Sequence, residues 1–250
     1  MKWLNKIIET YNKGLKYNSK ITAITEYTET LLKNNEELDQ QVKELETENL
    51  LLNKQLIDNE QQETKLDQYL KENYTQIHNI SYKNKREFKG EPISVTLQEM
   101  ITPNAYEVQK VKRKIGLKKG LTNLQVAKKI GDKVSRILTW TDDKQLIKGW
   151  DDYYTMPNEA LVYKKVDCED HAFVNASMSD EIGVVYGFYK GGGHAWNCFT
   201  YNNQLYFLET TGNVGRTILA SNAKDYEPSF IITSKGTYKV GRLVAFGNKA

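Results

Sequence analysis

The chain has 250 residues and a formal net charge of +3, a length that allows one large domain or one ordinary domain with an additional segment. Hydrophobic residues make up 39% of it, below the roughly 45–50% typical of compact globular chains, so part of the chain is polar without being a packed core. No run of about 18 apolar residues occurs, which excludes membrane insertion through a transmembrane helix, and the first residues lack the apolar region of a secretory signal. We therefore expect a protein that is cytoplasmic as synthesised or carried in a virus particle.

Residues 1–80 carry a heptad repeat, and we expect them to form a coiled-coil oligomerisation region. The repeat is most regular from Leu31 to Leu56. Asn35 and Asn49 occupy a positions, where asparagine fixes the register of two-stranded coils. We therefore expect the chain to self-associate, with a dimer weakly favoured over a trimer. The alternative to a coiled coil is one long helix that folds back on its own domain. The apolar a and d positions include Leu31, Leu38, Val42, Leu45, Leu52, Leu66 and Leu70.

Residues 81–120 differ in composition, because prolines and glycines interrupt them, and we expect a basic connector with short elements. Between residues 83 and 136 the chain has 14 Lys and Arg but only 5 Asp and Glu. The run KVKRKIGLKKG could hold an anionic polymer. No stacking aromatic residues are interleaved through that run, however, which favours a solvated basic face.

Residues 121–250 are predicted to form an α+β domain. The run after Leu121 has apolar residues at helical spacing, with Thr122 as the N-cap. The run VDCEDHAFVNASMSDEIG indicates a second helix that starts near Cys168. Short aromatic and β-branched runs then indicate a meander of antiparallel strands, namely GVVYGFYK, HAWNCFTY, QLYFLETT, SFIITS and GRLVAFG.

Two pairs of residues have the spacing of a Cys2His2 zinc site, since Cys168 and His171 are followed by His194 and Cys198. A strand would separate His194 from Cys198 by about 13 Å at about 3.3 Å per residue, too far for joint ligation by bonds of about 2 Å. A tight turn after the three glycines would restore the zinc hypothesis. Otherwise Cys198 is expected in the strand core and His171 as a structural side chain.

A catalytic nucleophile at Cys168 needs fewer assumptions. At a helix start the helix dipole and a nearby imidazolium stabilise a thiolate and lower the thiol pKa, although acidic neighbours oppose this. His194 would be the base. Glu209 lies on the next predicted strand, after a turn at Asn202 and Asn203, and would orient the imidazole by accepting its Nδ1 hydrogen.

These residues together resemble a known family. The order of DCED at a helix start, HAW on a strand and ETT at the end of the next strand resembles the transglutaminase-like superfamily. The run DDYYTMPNEALVYKKVDCEDHAF is similar to the motif of the bacterial transglutaminase-like cysteine proteinases. The resemblance covers roughly residues 121 to 215 and implies a papain-like fold. It implies Cys168 as nucleophile, His194 as base and Glu209, where the family usually has aspartate, as the orienting carboxylate.

Two further assignments concern the surroundings of the cysteine. In the similar proteinases acidic residues flanking the cysteine bind calcium, which implies Asp167 and Glu169 here, and carboxylates are suitable ligands for calcium. Charged residues at a helix N-terminus are also favourable without any metal. For the oxyanion we expect the backbone N–H of Cys168 as one donor, and Trp150, Tyr153 or Tyr154 as the other, with Trp150 preferred.

We expect a cysteine-type hydrolase that cleaves a peptide or other amide bond of a protein or peptide-like substrate through an acyl-enzyme, with no required cofactor. One alternative is an acyl transferase or protein-crosslinking enzyme, in which an amine rather than water resolves the same intermediate. The other is a non-catalytic assembly protein of a phage or mobile element, in which the coiled coil oligomerises a degenerate papain-like domain.

Overall fold

The computed structural model describes residues 63–88, 91–146, 153–212 and 214–241, together with short runs and single residues between 6 and 49. The chain divides into two compact units, Met1–Gln62 and Glu63–Ala250. None of the described helices combines the length and the apolar character needed to cross a membrane.

In the first unit the longest described runs, residues 30–35 and 37–47, are helical. Apolar side chains at the predicted heptad seam are exposed there: Leu38 is 55% exposed, Val42 51% and Leu45 58%. Other predicted heptad positions, Leu52 among them, lie outside the described residues. Coiled-coil pairing therefore stays a prediction.

The second unit contains helices and strands in mixed order. Its helices are α1 (Lys65–Asn73), α2 (Tyr106–Ile115), α3 (Asn123–Ile137), α4 (Asp143–Leu146), α5 (Pro157–Tyr163) and α6 (Cys168–Met178), with short 3-10 turns at Leu97–Met100 and Ala220–Asn222. Its strands are β1 (Thr75–Ile77), β2 (Ser81–Phe88), β3 (Glu91–Thr96), β4 (Thr139–Trp140), β5 (Lys165–Val166), β6 (Gly183–Tyr189), β7 (Gly192–Tyr201), β8 (Gln204–Glu209), β9 (Arg216–Leu219), β10 (Tyr226–Ile232) and β11 (Thr237–Lys239). The predicted α+β class is confirmed.

One antiparallel sheet dominates this unit, with the strand order β1-β11-β10-β6-β7-β8-β9. Strands β6 to β8 form a meander as expected, and β9 extends it, but the chain then crosses back from the edge strand β9 to pair β10 with β6. Strands β9 and β11 are short, which is why the alternating pattern did not predict them. The last predicted strand, GRLVAFG, lies almost wholly outside the described residues.

Residues 63–120 belong to the second unit and are not a loose connector. Leu66 and Leu70, which fit the heptad repeat, are fully buried in α1 and pack against the sheet. Asp67 of the same helix is also fully buried, and its two carboxylate oxygens accept hydrogen bonds from the hydroxyls of Thr64 and Thr233. An apolar stripe on a helix can cover a sheet as readily as a partner helix, so periodicity alone misplaced the boundary at residue 80.

The predicted basic connector, residues 81–120, folds into the β2–β3 hairpin, a 3-10 turn and α2. Helix α2 buries Val108 and Val111 and carries the basic run on its other positions, where Arg113 and Lys114 are exposed. The binding of an anionic polymer by this segment stays a prediction.

The core lies between one face of the sheet and the helices α3, α5 and α6. Helix α3 begins as predicted, because Thr122 and Gln125 form a capping box. Helix α6 is buried nearly all round, as expected for a central helix. The side chain of Asn197 on β7 donates to the backbone oxygens of Ala172 at 2.8 Å and Gly183 at 3.0 Å, and it accepts from Asn175 at 2.8 Å. These buried hydrogen bonds fix α6 against β7.

Candidate active site

Cys168 is the first residue of α6, as the sequence predicted, and Asp167 is the N-cap residue. The backbone N–H of Ala195 is close enough to the Cys168 sulfur to lower the pKa of the thiol. Ala195 follows His194 on β7, so the fixed packing of α6 against β7 brings the cysteine beside the strand that carries the histidine.

The β7–β8 hairpin brings His194 and Glu209 together. Asn202 and Asn203 at its turn have φ angles of 51° and 57°, the left-handed conformation that a two-residue hairpin turn requires, and the predicted turn is confirmed. The register pairs Asn197 with Leu208, and Nε2 of His194 lies 2.7 Å from Oε2 of Glu209.

The nitrogen that meets the carboxylate differs from the expected one. We expected Glu209 to accept the Nδ1 hydrogen of His194, but its carboxylate contacts Nε2. A carboxylate only accepts hydrogen bonds, so Nε2 carries the hydrogen. Nδ1 is therefore the nitrogen with a free lone pair, and it is the one that can exchange a proton.

Glu209 is held by three donors besides His194. The backbone N–H and the hydroxyl of Thr211 lie 2.9 Å and 2.7 Å from Oε1, and the hydroxyl of Tyr226 lies 3.3 Å from Oε2. Burial alone would raise the pKa of Glu209, but the hydrogen bond and charge of His194, with the Thr211 donors, lower the pKa to about 2. The carboxylate is therefore ionised at any ordinary pH.

Sequence reasoning missed Tyr226. This residue lies 17 positions after Glu209 on β10, which reaches the site only through the crossover from the far edge of the sheet. Neither its spacing nor its neighbours carry a signal for that contact. Thr211, by contrast, belongs to the ETT motif.

Aromatic rings surround the His194–Glu209 pair. The Trp196 ring lies 5.8 Å from the His194 ring at an interplanar angle of 24°, and the Tyr189 ring lies 5.8 Å away on a tilted plane. The expectation that Trp196 packs beside His194 on the same strand face is confirmed. These rings limit the access of water to the pair, which strengthens its electrostatic interaction.

Burial and an acidic neighbour make the thiol of Cys168 a weak acid. Burial, followed by the charge of Asp167, raises the pKa of Cys168 to about 12, although the Ala195 N–H and a contact with Glu169 oppose the shift. The sulfur lies 3.4 Å from Oε2 of Glu169. The expected lowering of this pKa by the helix start is therefore wrong, because burial and like charge outweigh the dipole.

The residues at the start of α6 have the donor set for a hard cation. Ligand atoms of Asp167, Cys168 and Glu169 lie within 4.8 Å of one another. Oε1 of Glu169 and Oδ2 of Asp170 are buried without a hydrogen-bond partner among the described residues. Burial and the charge of Asp167 raise the pKa of both carboxyl groups well above the usual range. Clustered buried oxygens of this kind fit calcium.

The remaining candidates have other surroundings. His171 is buried, with Nδ1 3.5 Å from the Thr210 hydroxyl, and burial lowers its pKa to about 4, so it is neutral. Cys198 is fully buried in the strand core and both cysteines are free.

Among the described residues no metal-ligating cluster includes a histidine, and β7 is continuous through HAWNC, which rules against the zinc hypothesis. Trp150 lies outside the described residues.

No protein-family model and no curated protein matches the chain. Among solved structures, LapG of Legionella pneumophila is similar at 19% sequence identity and a TM-score of 0.43, over 57% of this chain and 85% of LapG. A calcium-bound form of LapG is similar at 21% sequence identity and a TM-score of 0.44, over 57% of this chain and 83% of that one. A structure described as a TGase is similar at 16% sequence identity and a TM-score of 0.35, over 44% of this chain and 31% of that one.

Proposed function

We propose that the chain is a cysteine-type hydrolase that cleaves a peptide or other amide bond through Cys168, His194 and Glu209. The observation that carries this proposal is the buried 2.7 Å contact between His194 and Glu209, with the sulfur of Cys168 near the backbone of Ala195, the residue after His194 on β7. An ionised carboxylate on one imidazole nitrogen leaves the other as a base for a nearby thiol, which is the arrangement of a nucleophile, a base and an orienting group.

In the proposed reaction Nδ1 of His194 takes the proton of Cys168 as the sulfur attacks the substrate carbonyl carbon. Because burial raises the pKa of the thiol to about 12, this proton transfer accompanies attack instead of preceding it. The backbone N–H of Cys168 donates to the oxyanion. His194 then gives its proton to the leaving amine as the C–N bond breaks, and Glu209 stabilises the imidazolium meanwhile. Water, deprotonated by His194, hydrolyses the thioester and restores the thiol.

Covalent labelling tests this proposal. A peptide chloromethyl ketone should add one alkyl group to the full chain, on Cys168, because this is the half-buried cysteine beside a base. Cys168→Ala should abolish labelling and His194→Ala should slow it. Cys198→Ala is the matched control and should leave labelling intact, since Cys198 is fully buried. Unchanged labelling in Cys168→Ala would reject the proposed nucleophile.

We also propose that Asp167 and Glu169 bind calcium. The proposal is supported by Oε1 of Glu169 and Oδ2 of Asp170, which are buried and have no hydrogen-bond partner within the described part of the chain. A bound cation supplies positive charge that favours the ionised forms of Glu169, Asp170 and the Cys168 thiol, all of which have raised pKa values without it.

Calcium should therefore raise the melting temperature at pH 7, by about 5 °C or more when free calcium is 100 times Kd. With chelator, the melting temperature should instead fall between pH 5 and pH 7. The raised pKa values of Glu169 and Asp170 give stability that is present below their unfolded values, about 4, and is lost as the pH rises. The pKa of Glu209, about 2, affects stability only below about pH 4, outside this range.

The test is thermal unfolding at pH 5 and pH 7 with calcium or chelator. Asp167→Asn with Glu169→Gln should abolish the calcium effect, whereas Asp132→Asn, an exposed carboxylate of α3, should keep it. A calcium effect that survives in the double variant would contradict this site.

A third proposal is that the first unit mediates self-association through the exposed seam of residues 30–47. Leu38→Ser with Leu45→Ser should lower the molar mass measured by light scattering to that of one chain, since both side chains are more than half exposed in the single chain. Glu37→Ser with Glu44→Ser lies away from the seam in the heptad and should leave the mass unchanged. A wild-type protein of single-chain mass would reject self-association.

A further inference from the structure

A groove of about 410 Å³ lies beside the His194–Glu209 pair. It opens where the chain crosses back from β9 to β10. Arg216 and Ile218 of β9 line it, together with Lys224 of the crossover and the rings of Tyr189 and Tyr226.

Two lining residues contact the pair directly. The Tyr189 ring lies 5.8 Å from the His194 ring, and the hydroxyl of Tyr226 donates to Glu209. Tyr189 and Tyr226 are also directly opposite each other on β6 and β10, with ring centroids 4.6 Å apart. Only the side chain of Tyr189 therefore separates the groove from the imidazole of His194 on that side.

The charge in the groove is positive. Arg216 and Lys224 are exposed and pair with no acidic side chain among the described residues, whereas Asp225, which also lines the groove, lies 3.9 Å from Lys190. Glu209 is only 4% exposed, and hydrogen bonds from His194, Thr211 and Tyr226 already engage both of its carboxylate oxygens. An acidic group in the groove would therefore meet two cations over an aromatic floor.

We infer that this groove binds the substrate residue on the leaving-group side of the scissile bond and selects an acidic side chain there. The inference rests on the proposed function, in which His194 gives its proton to the leaving amine. The residue that carries that amine must lie against His194, on whose side the groove opens. Arg216 presents the planar donors that suit a carboxylate, and Lys224 adds a second charge.

The experiment is an NMR titration of the full chain with two tetrapeptides that have a free amino terminus, Glu-Ala-Ala-Ala and Gln-Ala-Ala-Ala. These mimic the leaving-group product, so binding is measured without catalysis. The Glu peptide should bind about tenfold more tightly, as one charge-assisted hydrogen bond implies. Shifts should centre on Tyr189 and Tyr226, and the preference should shrink at high salt.

Arg216→Gln with Lys224→Gln should bring the two peptides within twofold of each other. Arg113→Gln with Lys114→Gln is the matched control, since it removes the same two charges from α2, and it should keep the preference. Equal or absent binding by the wild type, or a preference that survives in the Arg216 and Lys224 variant, would overturn the inference. Labelling of Cys168 is read separately, so a failed groove and a failed nucleophile give different results.

Discussion

Replacing Glu209 by glutamine should lower kcat by about 10³-fold or more, with little change in KM. The glutamine amide is nearly isosteric, but its NH2 group favours the imidazole tautomer that has hydrogen on Nδ1, where the base is needed. It also removes the charge that stabilises the imidazolium. Because the pKa of Glu209 is about 2, titration of Glu209 itself should add no pH dependence to this loss between pH 5 and 9.

Glu227→Gln is the control for this variant. Glu227 is an exposed carboxylate on the neighbouring strand β10, and its replacement should change kcat less than twofold. Steady-state kinetics on a peptide or ester substrate, with near-ultraviolet circular dichroism as the check on folding, compare the two. More than one tenth of wild-type kcat in a folded Glu209→Gln protein would remove Glu209 from the proposed triad.

Gly187→Ala should destabilise the second unit by about 3 kcal/mol or more. Gly187 on β6 lies directly opposite His194. A Cβ there would lie 2.1 Å from the backbone oxygen of Glu227, 2.9 Å from Cα of Pro228 and 2.8 Å from the Trp196 ring. Two of these atoms are backbone, so β10 would have to move away from β6, and the aromatic packing around the imidazole would move with it.

Gly212→Ala is the matched control, because a Cβ at Gly212 has no neighbour within 4 Å. It should be neutral or slightly stabilising, by up to about 1 kcal/mol through the unfolded chain. Urea unfolding of the two variants measures the difference. A Gly187→Ala protein within 1 kcal/mol of Gly212→Ala would mean that β6 and β10 are not packed as closely as described.

Local signals predicted the parts of the site that lie close in sequence. The cap at Thr122, the helix that starts at Cys168 and the turn at Asn202 and Asn203 depend on residues within a few positions of one another, and all three are present. The position of the Glu209 carboxylate beside His194 could be predicted from one hairpin, because a two-residue turn fixes the register of the two strands that it joins.

Features that depend on long-range packing were not predictable in the same way. Tyr226 reaches Glu209 only because β10 crosses back to pair with β6. The spacing of Leu66 and Leu70 fits a coiled-coil heptad and a helix that covers a sheet equally well. Only the packed structure shows that the second alternative is the right one. The pKa of Cys168 depends on how deeply α6 is buried, which the helix-start argument does not contain.

The raised thiol pKa of Cys168 and the buried acidic oxygens occur together at the start of α6. A carboxylate cluster disfavours a thiolate while it lacks a counter-charge, and a cation bound there would reverse that preference. In this account the same residues that hold the thiol protonated also give the protein its response to calcium.

The most direct measurement of the central claim is intact-protein mass spectrometry during turnover of an activated acyl ester, with the acylated residue located by peptide mapping. One acyl group should accumulate on Cys168 within the first turnover, should be released by water, and should be absent in Cys168→Ala. Turnover of the ester by Cys168→Ala at the wild-type rate, or acylation at any other residue, would contradict it.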